Sequence, residues 1–566
     1  MKQIITSLLK EAIKKNGVSL RNEEIEKFIE IPPSPELGDY SFPCFFLIEK
    51  FKQEPSRIAL DIRRKITKVP EGFQDIQTSG AYINFFVNRK DLSKQIIQEI
   101  LSKKEKYGSF SQEKNKVMIE FSQPNTHKAF HVGHIRGTTI GESLARIFEF
   151  CGNEVIRANY QGDSGMHVAK WIWCYKKYHK KQKLKEDESW IASIYVDAIK
   201  RLSKNEKLQE QVDLINKMLA ERSDKELDSL WKKSRKLSLD SFEKIYRELN
   251  THFDVYFFES EMEKRGLDMA EKLLKDEIAK ISEGAVIIDL KKYNLGVWVL
   301  LRKDQTVLYS AKDLALVKEK FEKFKINRNV YVIGSAQSMH MAQLFKTLEL
   351  MNFPKVKECK YVPFSEVRLP TGKMSSRTGE NILYSDFIKE ITDYSKKEIK
   401  KRFPSISKKE LESRSLKISI ASIKYSMLKQ NPNKVIIFKK EDALNFEGDS
   451  GAYILYTYAR AGSILEKANK KLKEKFDTGK LEEKEIELIK KLSQFKDVVS
   501  NAYKTMNPNV LANYSYQLCQ IFNEFYHSCP VIDSEKEQFR LSLVTALRQV
   551  LKNSVYLLGI STVEEM

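Results

Sequence analysis

Phe121-Ser-Gln-Pro-Asn-Thr-His-Lys-Ala-Phe-His131-Val-Gly-His134-Ile-Arg-Gly-Thr-Thr139 is the stretch on which the fold turns. Before it, Lys116-Val-Met-Ile-Glu-Phe121 is a short apolar run of the kind that forms a buried strand. After it, apolar residues at 140, 144, 147 and 148 make one face of a helix. His131-Val-Gly-His134 therefore sits where a strand hands over to a helix. In an open parallel sheet that junction suits nucleotides, because unpaired backbone N–H groups and the helix dipole point at phosphate. Gly133 lets another group approach the backbone, and the two imidazoles, about one helical turn apart, can donate hydrogen bonds to a triphosphate. A loop with two surface histidines would carry the same four residues. Far downstream, Gly372-Lys373-Met-Ser375-Ser376-Arg377-Thr-Gly379 places small, polar and cationic residues between two glycines. Such a loop can close on phosphates, and an ordinary basic turn would look much the same.

The remaining sequence narrows the class. Its 566 residues are 42% hydrophobic and 31% charged, enough for roughly three to four domains with separate cores. A net charge of +21 suits a polyanionic partner, although lysine-rich usage alone produces such a charge. Six cysteines, at 44, 151, 174, 359, 519 and 529, form no close pair. That predicts reduced thiols in a cytoplasmic protein and argues against a zinc site. No apolar run approaches the ~20 residues of a membrane helix, so no membrane partner is expected. The opening Met1-Lys-Gln-Ile-Ile-Thr-Ser-Leu-Leu-Lys10 turns polar too soon for a signal peptide.

Residues 1–110 read as a small α/β module, and 111–390 as a nucleotide-binding α/β domain. Within the latter, Asn153–Tyr160 is a second strand, and 181–285 is a lysine- and glutamate-rich helical insertion. Strands are expected again at 284–290, 297–301, 307–309 and 329–334, with Asp313 opening a helix. Residues 391–440 read as a helical connector and 441–566 as a helix bundle. Glu120, Asn125, Tyr309, Asp313, Gln337 and His340 fall at or just beyond expected strand ends, where an open sheet presents groups to a ligand. Carboxylates at 120 and 313 would suit a cationic substrate. Asp313, next to an apolar helix, could equally be its cap. The aromatics Tyr40, Phe42 and Tyr82 could stack on bases or fill the core.

These residues together resemble the arginyl-tRNA synthetases, members of the class I aminoacyl-tRNA synthetases, over essentially the whole chain. The histidine stretch and Gly372–Gly379 look like the two signature motifs of the class. Glu120 to His134 taken as a unit is similar to this family in particular. So are Leu37-Gly-Asp39-Tyr with Gly80-Ala-Tyr82-Ile-Asn84-Phe-Phe, Phe446-Glu-Gly448-Asp, Phe522-Asn523-Glu-Phe-Tyr526 and Thr545-Ala-Leu-Arg548. The resemblance implies a Rossmann-like parallel-sheet catalytic domain between an N-terminal α/β tRNA-binding module and a C-terminal all-α anticodon-binding bundle. It implies that L-arginine and ATP, the latter with Mg²⁺, give arginyl-adenylate and diphosphate, and that arginine passes to the 3′ end of tRNA(Arg). No zinc is called for, and the protein is expected to be a cytoplasmic monomer.

Carried over by position, Glu120, Asn125 and Gln337 would hold the amino acid, and Glu259, Tyr309 and Asp313 its guanidinium. His131, Gly133, His134, Lys373, Ser375 and Ser376 would contact ATP, with Lys128 joining His131, His134 and Lys373 in catalysis. Tyr82, Asn84, Asn523, Tyr526 and Arg548 would meet tRNA. The chain departs from the family pattern at Ser376, where the class has a second lysine, at Ala129, where proline is frequent, and at Thr545, where the bundle's name-giving aspartate stands. The first two leave open how Lys128, Lys373 and Arg377 divide the phosphate contacts. Another class I synthetase, a nucleic-acid-binding protein with a decayed site, and a nucleotidyltransferase without tRNA are the alternatives.

Overall fold

In the computed structural model, which describes residues 1–110, 114–368, 370, 383–473 and 476–566, the apolar run before the histidines is strand β1 (Lys116–Glu120). The next strands are β2 (Glu154–Gln161), β3 (Val255–Phe258), β4 (Lys280–Ser282), β5 (Ala285–Asp289), β6 (Val297–Leu301), β7 (Arg328–Gly334) and β8 (Cys359–Phe364). One five-stranded sheet has the order β8-β7-β1-β2-β3, with every pair of neighbours parallel. Val117, Met118, Ile119, Val330 and Val332 in its centre are fully buried. That is why these strands read as continuous apolar runs rather than alternating ones. The strand order reverses between β1 and β7. At such a point the connections leave in opposite directions and a crevice opens beyond the strand ends.

The helical stretch expected over 181–285 ends sooner. Its long helices are Glu188–Lys204, Gln209–Glu221 and Lys225–Glu248. Then β3 joins the parallel sheet, pairing Ala158 with Val255 and Gln161 with Phe258. Four residues are too few to display a period. Strands β5 and β6, expected to continue the nucleotide fold, instead form an antiparallel sheet with β4, which falls in the stretch expected to be helical. The expected strand at 307–309 is a single bridge between Leu301 and Val307, and a helix already begins at Tyr309. Asp313 thus lies inside that helix and does not open it.

Six helices frame the site and its supports: α1 (Val132–Phe150), α2 (Lys225–Glu248), α3 (Tyr309–Phe324), α4 (Ser338–Leu350), α5 (Lys408–Leu428) and α6 (Glu537–Leu557). Helix α1 is buried nearly all round. It lies so close to β1 that a Cβ on Gly141 would stand 2.1 Å from Cγ of Phe121. Its buried Glu142 is matched by cations. Glu142 accepts from Arg146 Nε at 2.6 Å, from Arg157 Nε at 3.0 Å and from the Thr251 hydroxyl at 2.7 Å. The end of α6 sits on the same helix: Ser143 Oγ donates to the Leu557 carbonyl at 2.7 Å and Arg146 Nη1 to that of Tyr556 at 3.2 Å. Lys424 of α5, its pKa pushed down to about 7 by burial, donates to the Gly559 carbonyl at 2.8 Å.

By internal contacts the chain forms two units, Met1–Ser102 with Lys471–Lys490 and Ser528–Leu543, and Lys103–Lys470 with Lys491–His527 and Val544–Met566. The first contains an antiparallel sheet of Tyr40–Pro43, Tyr82–Val87 and Phe73–Ser79, covered by the helix Lys2–Lys15 through Ile5, Leu9, Ala12 and Ile13. The second contains the parallel sheet. Among the described residues no helix is long and apolar enough to cross a membrane.

Gly141→Ala is expected to destabilise the protein by about 1–3 kcal/mol, because neither Phe121 nor the helix backbone can yield a full contact distance. Gly334→Ala, where a Cβ would meet nothing within 4 Å, is expected to stay within about 0.5 kcal/mol. Thermal or urea unfolding of the two variants checks the contrast.

Candidate active site

The crevice beyond β1 and β7 holds a cavity of about 420 Å³. Its lining brings together Glu120, Asn125, Glu259, Tyr309, Asp313 and Gln337, which the sequence places on separate segments. Glu120 ends β1, Glu259 follows β3 and Gln337 lies in the turn after β7. Tyr309 and Asp313, four apart on α3, share one helix face. The alternative role of Asp313 as a cap fails, since Leu308 occupies the N-cap with no side-chain bond to the helix start. The Asp313 carboxylate instead accepts from His340 Nε2 at 2.6 Å. Asn125 comes close because residue 162 is glycine: a Cβ there would lie 2.1 Å from Asn125 Oδ1.

The carboxylates of this cavity stand in three different environments. Glu120 is ion-paired with Lys320, a fully buried side chain that also lines the cavity. Asp313 has an imidazole donor. Glu259 has its pKa pushed up to about 7, chiefly by burial, with Asp313, Asp163 and Glu263 adding to the rise against Lys312. The buried hydroxyl of Tyr160 has no hydrogen-bond partner among the described residues. Burial together with Asp313, Glu259, Glu120 and Asp163 holds its pKa well above the usual phenol range. Lys320 and Tyr160 were not among the residues expected from sequence. Tyr160 obeys the strand-end rule and could have been found by it. Lys320 stands among Lys318, Glu319 and Glu322 on α3 and reads as one more solvated charge.

Beside this cavity lies the histidine motif. His131 is the N-cap of α1, and its N–H donates to His134 Nδ1 at 3.1 Å. The two rings stack with centroids 3.8 Å apart. With Nδ1 accepting, His134 has its proton on Nε2, available to donate. Burial lowers the pKa of His131 to about 4 and that of His134 well below the ordinary value, with Lys128 adding to both shifts. Both rings are therefore neutral donors at physiological pH. The space left by Gly133 is taken by the His131 ring, 3.0 Å from where a Cβ would stand. Lys128 has its Nζ 5.4 Å from the Tyr195 ring centroid, and burial and Lys170 lower its pKa. Its neighbour His127, fully buried, is strapped to α2: Ser238 Oγ accepts from the His127 N–H at 3.0 Å, and Ser234 Oγ lies 2.8 Å from the ring Nε2. Lys373, Ser375, Ser376 and Arg377 lie outside the described residues.

The tRNA candidates separate by exposure. Tyr82 is half-buried with its ring against Phe45. Asn84 is buried and accepts from Ser41 Oγ at 2.7 Å, so its side chain is part of the sheet's interior and not of a surface. Tyr526 is exposed, and near it Asn523 accepts from Arg460 at 2.8 Å and donates to Tyr453 OH at 2.7 Å. Arg548 pairs with Glu564 and lies over the Tyr458 ring. Among the described residues, Cys174, His179 and Asp197, and Glu482, Glu485 and Cys529, are grouped closely enough to hold a metal ion. In each group the carboxylates already have cationic partners, Arg201 in the first and Lys536 and Arg540 in the second.

Architecture and cavity agree with three family models. The model for class I tRNA synthetases (R), catalytic domain, matches residues 96–439. The DALR anticodon binding domain matches 454–566, and the arginyl tRNA synthetase N-terminal domain matches 3–87. The arginine–tRNA ligase of Clostridium perfringens is 37% identical over 99% of this chain and 99% of its own length. That of Clostridium botulinum is 35% identical with the same coverage. In fold, the chain is similar to the Thermus thermophilus arginyl-tRNA synthetase, with a TM-score of 0.84 at 24% identity and 100% coverage of both chains. It is also similar to the Plasmodium falciparum enzyme, with a TM-score of 0.79 at 23% identity, covering 100% of this chain and 99% of that one.

Glu259 predicts how the cavity responds to pH. A guanidinium ligand needs the ionised carboxylate, and the raised pKa makes that form scarce below about 7. Affinity for free arginine is expected to fall as pH drops through about 7 and to level off above it. Glu259→Gln, which copies the protonated carboxyl, should bind more weakly above about 7, approach the wild type at lower pH and lose the dependence in that range. Isothermal titration calorimetry across pH checks both.

Proposed function

The chain belongs to the class I arginyl-tRNA synthetases and has the function of an arginine–tRNA ligase, and from that premise we propose how its own residues carry the two steps. The observation that supports the proposal most directly is the meeting of Glu259, Tyr309 and Asp313 in one cavity beside the His131–His134 helix start. Arginine enters with its guanidinium toward these three. A guanidinium is planar with five fixed donors, so carboxylates and a phenol hydroxyl can receive it as a fork. A competitor that leaves those acceptors unpaired is rejected, by ~10⁴-fold or more in sites of this kind, without a separate editing reaction. Asn125 and Gln337 take the α-amino end, and Glu120, already neutralised by Lys320, anchors it as a dipole more than as a free charge.

ATP, as its Mg²⁺ complex, is the second substrate. The arginine carboxylate attacks the α-phosphate, diphosphate leaves, and the terminal ribose hydroxyl of tRNA(Arg) then takes the arginyl group. No side chain has to act as nucleophile, and the work is positioning and stabilisation of charge on phosphate oxygens. His134 donates from Nε2, Lys128 supplies a cation, and Gly133 keeps the His131 ring in place. Lys373, Ser375 and Ser376 complete the phosphate contacts.

The proposal extends to domain limits of 1–110, 111–390, 391–440 and 441–566, and to a cytoplasmic monomer without zinc. Contact with tRNA falls to the surface around Tyr82 in the first domain, and to Asn523, Tyr526 and Arg548 in the last.

Charging of bulk tRNA with each of twenty labelled amino acids tests the reading, with arginine alone expected to be incorporated. His134→Ala is expected to slow adenylate formation about 10²–10³-fold with arginine binding nearly unchanged. Wild-type turnover in that variant would remove His134 from the phosphate site. Binding of tRNA to the whole protein should weaken steeply between 50 mM and 200 mM salt, on the order of a tenfold loss or more, as phosphate contacts release counterions. A salt-independent Kd from filter binding would contradict a phosphate-tracking surface.

A further inference from the structure

We propose that Trp298 and His340 are positioning residues for arginine recognition, holding the Asp313 carboxylate oriented and uncompensated for the guanidinium. The inference rests on the reading of Asp313 as a guanidinium partner. Three elements meet here: Trp298 on β6, His340 on α4 and Asp313 on α3. The Trp298 indole N–H donates to His340 Nδ1 at 3.3 Å, and His340 Nε2 lies 2.6 Å from Asp313 Oδ2. Trp298 is buried, and its ring centroid is 5.4 Å from that of His340. On another side the Tyr309 ring meets the imidazole edge-on at 4.8 Å.

The direction of this chain of hydrogen bonds is set by its first member. An indole nitrogen can only donate, so Nδ1 of His340 must accept and carries no proton. The ring proton is then on Nε2, where it is donated to Asp313. The cavity gains two properties. One carboxylate oxygen, Oδ2, is fixed by the imidazole, and Oδ1 is left for the ligand. A neutral donor also fixes Asp313 without cancelling its charge. Glu120 in the same cavity has the opposite arrangement, since the buried Lys320 neutralises it. The cavity thus distinguishes a compensated carboxylate from an uncompensated one, and Trp298 maintains the difference by occupying the nitrogen whose protonation would turn His340 into a counter-ion. Trp298 does not itself line the cavity. Through it, the small antiparallel sheet β4–β6 acts on the substrate site without touching substrate. This is the logic by which a second layer of hydrogen bonds fixes the tautomer and orientation of a working side chain.

The test is steady-state aminoacylation by the full chain, with KM for arginine and for ATP and the Tm measured for four variants. His340→Ala is expected to raise KM for arginine about 10- to 100-fold, the range for losing a hydrogen bond to a charged group, with KM for ATP and Tm near wild type. His340→Gln, whose amide nitrogen can donate from nearly the place of Nε2, should recover most of the loss. Trp298→Phe keeps the packing and removes only the N–H, and should raise KM for arginine by about 3- to 10-fold with KM for ATP unchanged. A structural role alone would lower Tm and disturb both substrates alike, with no recovery in His340→Gln, and that pattern overturns the proposal. Asp313→Asn separates the levels. If it raises KM for arginine while His340→Ala and Trp298→Phe do not, the positioning chain is wrong and the guanidinium site stands. If Asp313→Asn leaves KM for arginine unchanged, the reading of Asp313 falls and the positioning chain with it. Should His340→Ala not fold, Trp298→Phe decides by the same criterion.

Discussion

The near-contact of Gly141 with Phe121 is the constraint on which the working part of this molecule depends. It presses α1 against the end of β1, so the helix begins directly over the crevice at the strand reversal. A side chain of any size at 141 would lift the helix and carry the His131–His134 start away from Glu120. So close an approach requires a helix buried on every side, including charged residues that lose their water. Glu142 is satisfied by Arg157 and Thr251 and Arg146 by the Tyr556 carbonyl at the end of α6, and Ser143 adds a bond to the Leu557 carbonyl. The helix that begins at the proposed nucleotide site is therefore held in its middle by the last helix of the chain.

Within the crevice, three carboxylates with the same intrinsic chemistry are made different by their neighbours. A buried lysine neutralises Glu120. An imidazole fixes Asp313 and leaves its charge. Burial raises the pKa of Glu259 to about 7. A cation entering the cavity meets a graded field, with attraction concentrated at the Asp313 and Glu259 end. In the proposed binding mode that gradient orients an amino acid whose two ends both carry positive charge, because the compensated carboxylate at the other end attracts less strongly.

In the proposed mechanism the helical insertion contributes indirectly. Helix α2 holds the backbone and ring of His127 through Ser238 and Ser234, which fixes the adjacent Lys128 within reach of the histidine motif. Arg235 of the same helix pairs with the buried Asp163 at 2.7 Å, and Asp163 accepts from the Ser260 N–H and hydroxyl next to Glu259. A segment that reads as solvated charge thus supports both the proposed phosphate side and the proposed guanidinium side of the site.

The sequence by itself determined the class of fold and the residues that the structure gathers around one cavity. Strand β1, the histidine stretch and α1 were legible because an apolar run, a glycine-containing junction and a helical period succeed one another without interruption. In the sequence Tyr309 and Asp313 read together as the end of one strand and the start of the next helix, and only the structure puts both on one face of α3. The β3 strand was not legible, since Val255–Phe258 is too short to show a period, and its assignment to the parallel sheet comes only from pairing with β2. Nor could sequence separate Lys320 from the lysines around it, or Asn84 from an exposed amide, because burial belongs to the packed molecule and not to the residue type. The chain from Trp298 through His340 to Asp313 joins three elements distant in sequence. Its direction depends on which nitrogen faces which partner, and that is decided only when tertiary packing brings the three side chains within hydrogen-bond distance.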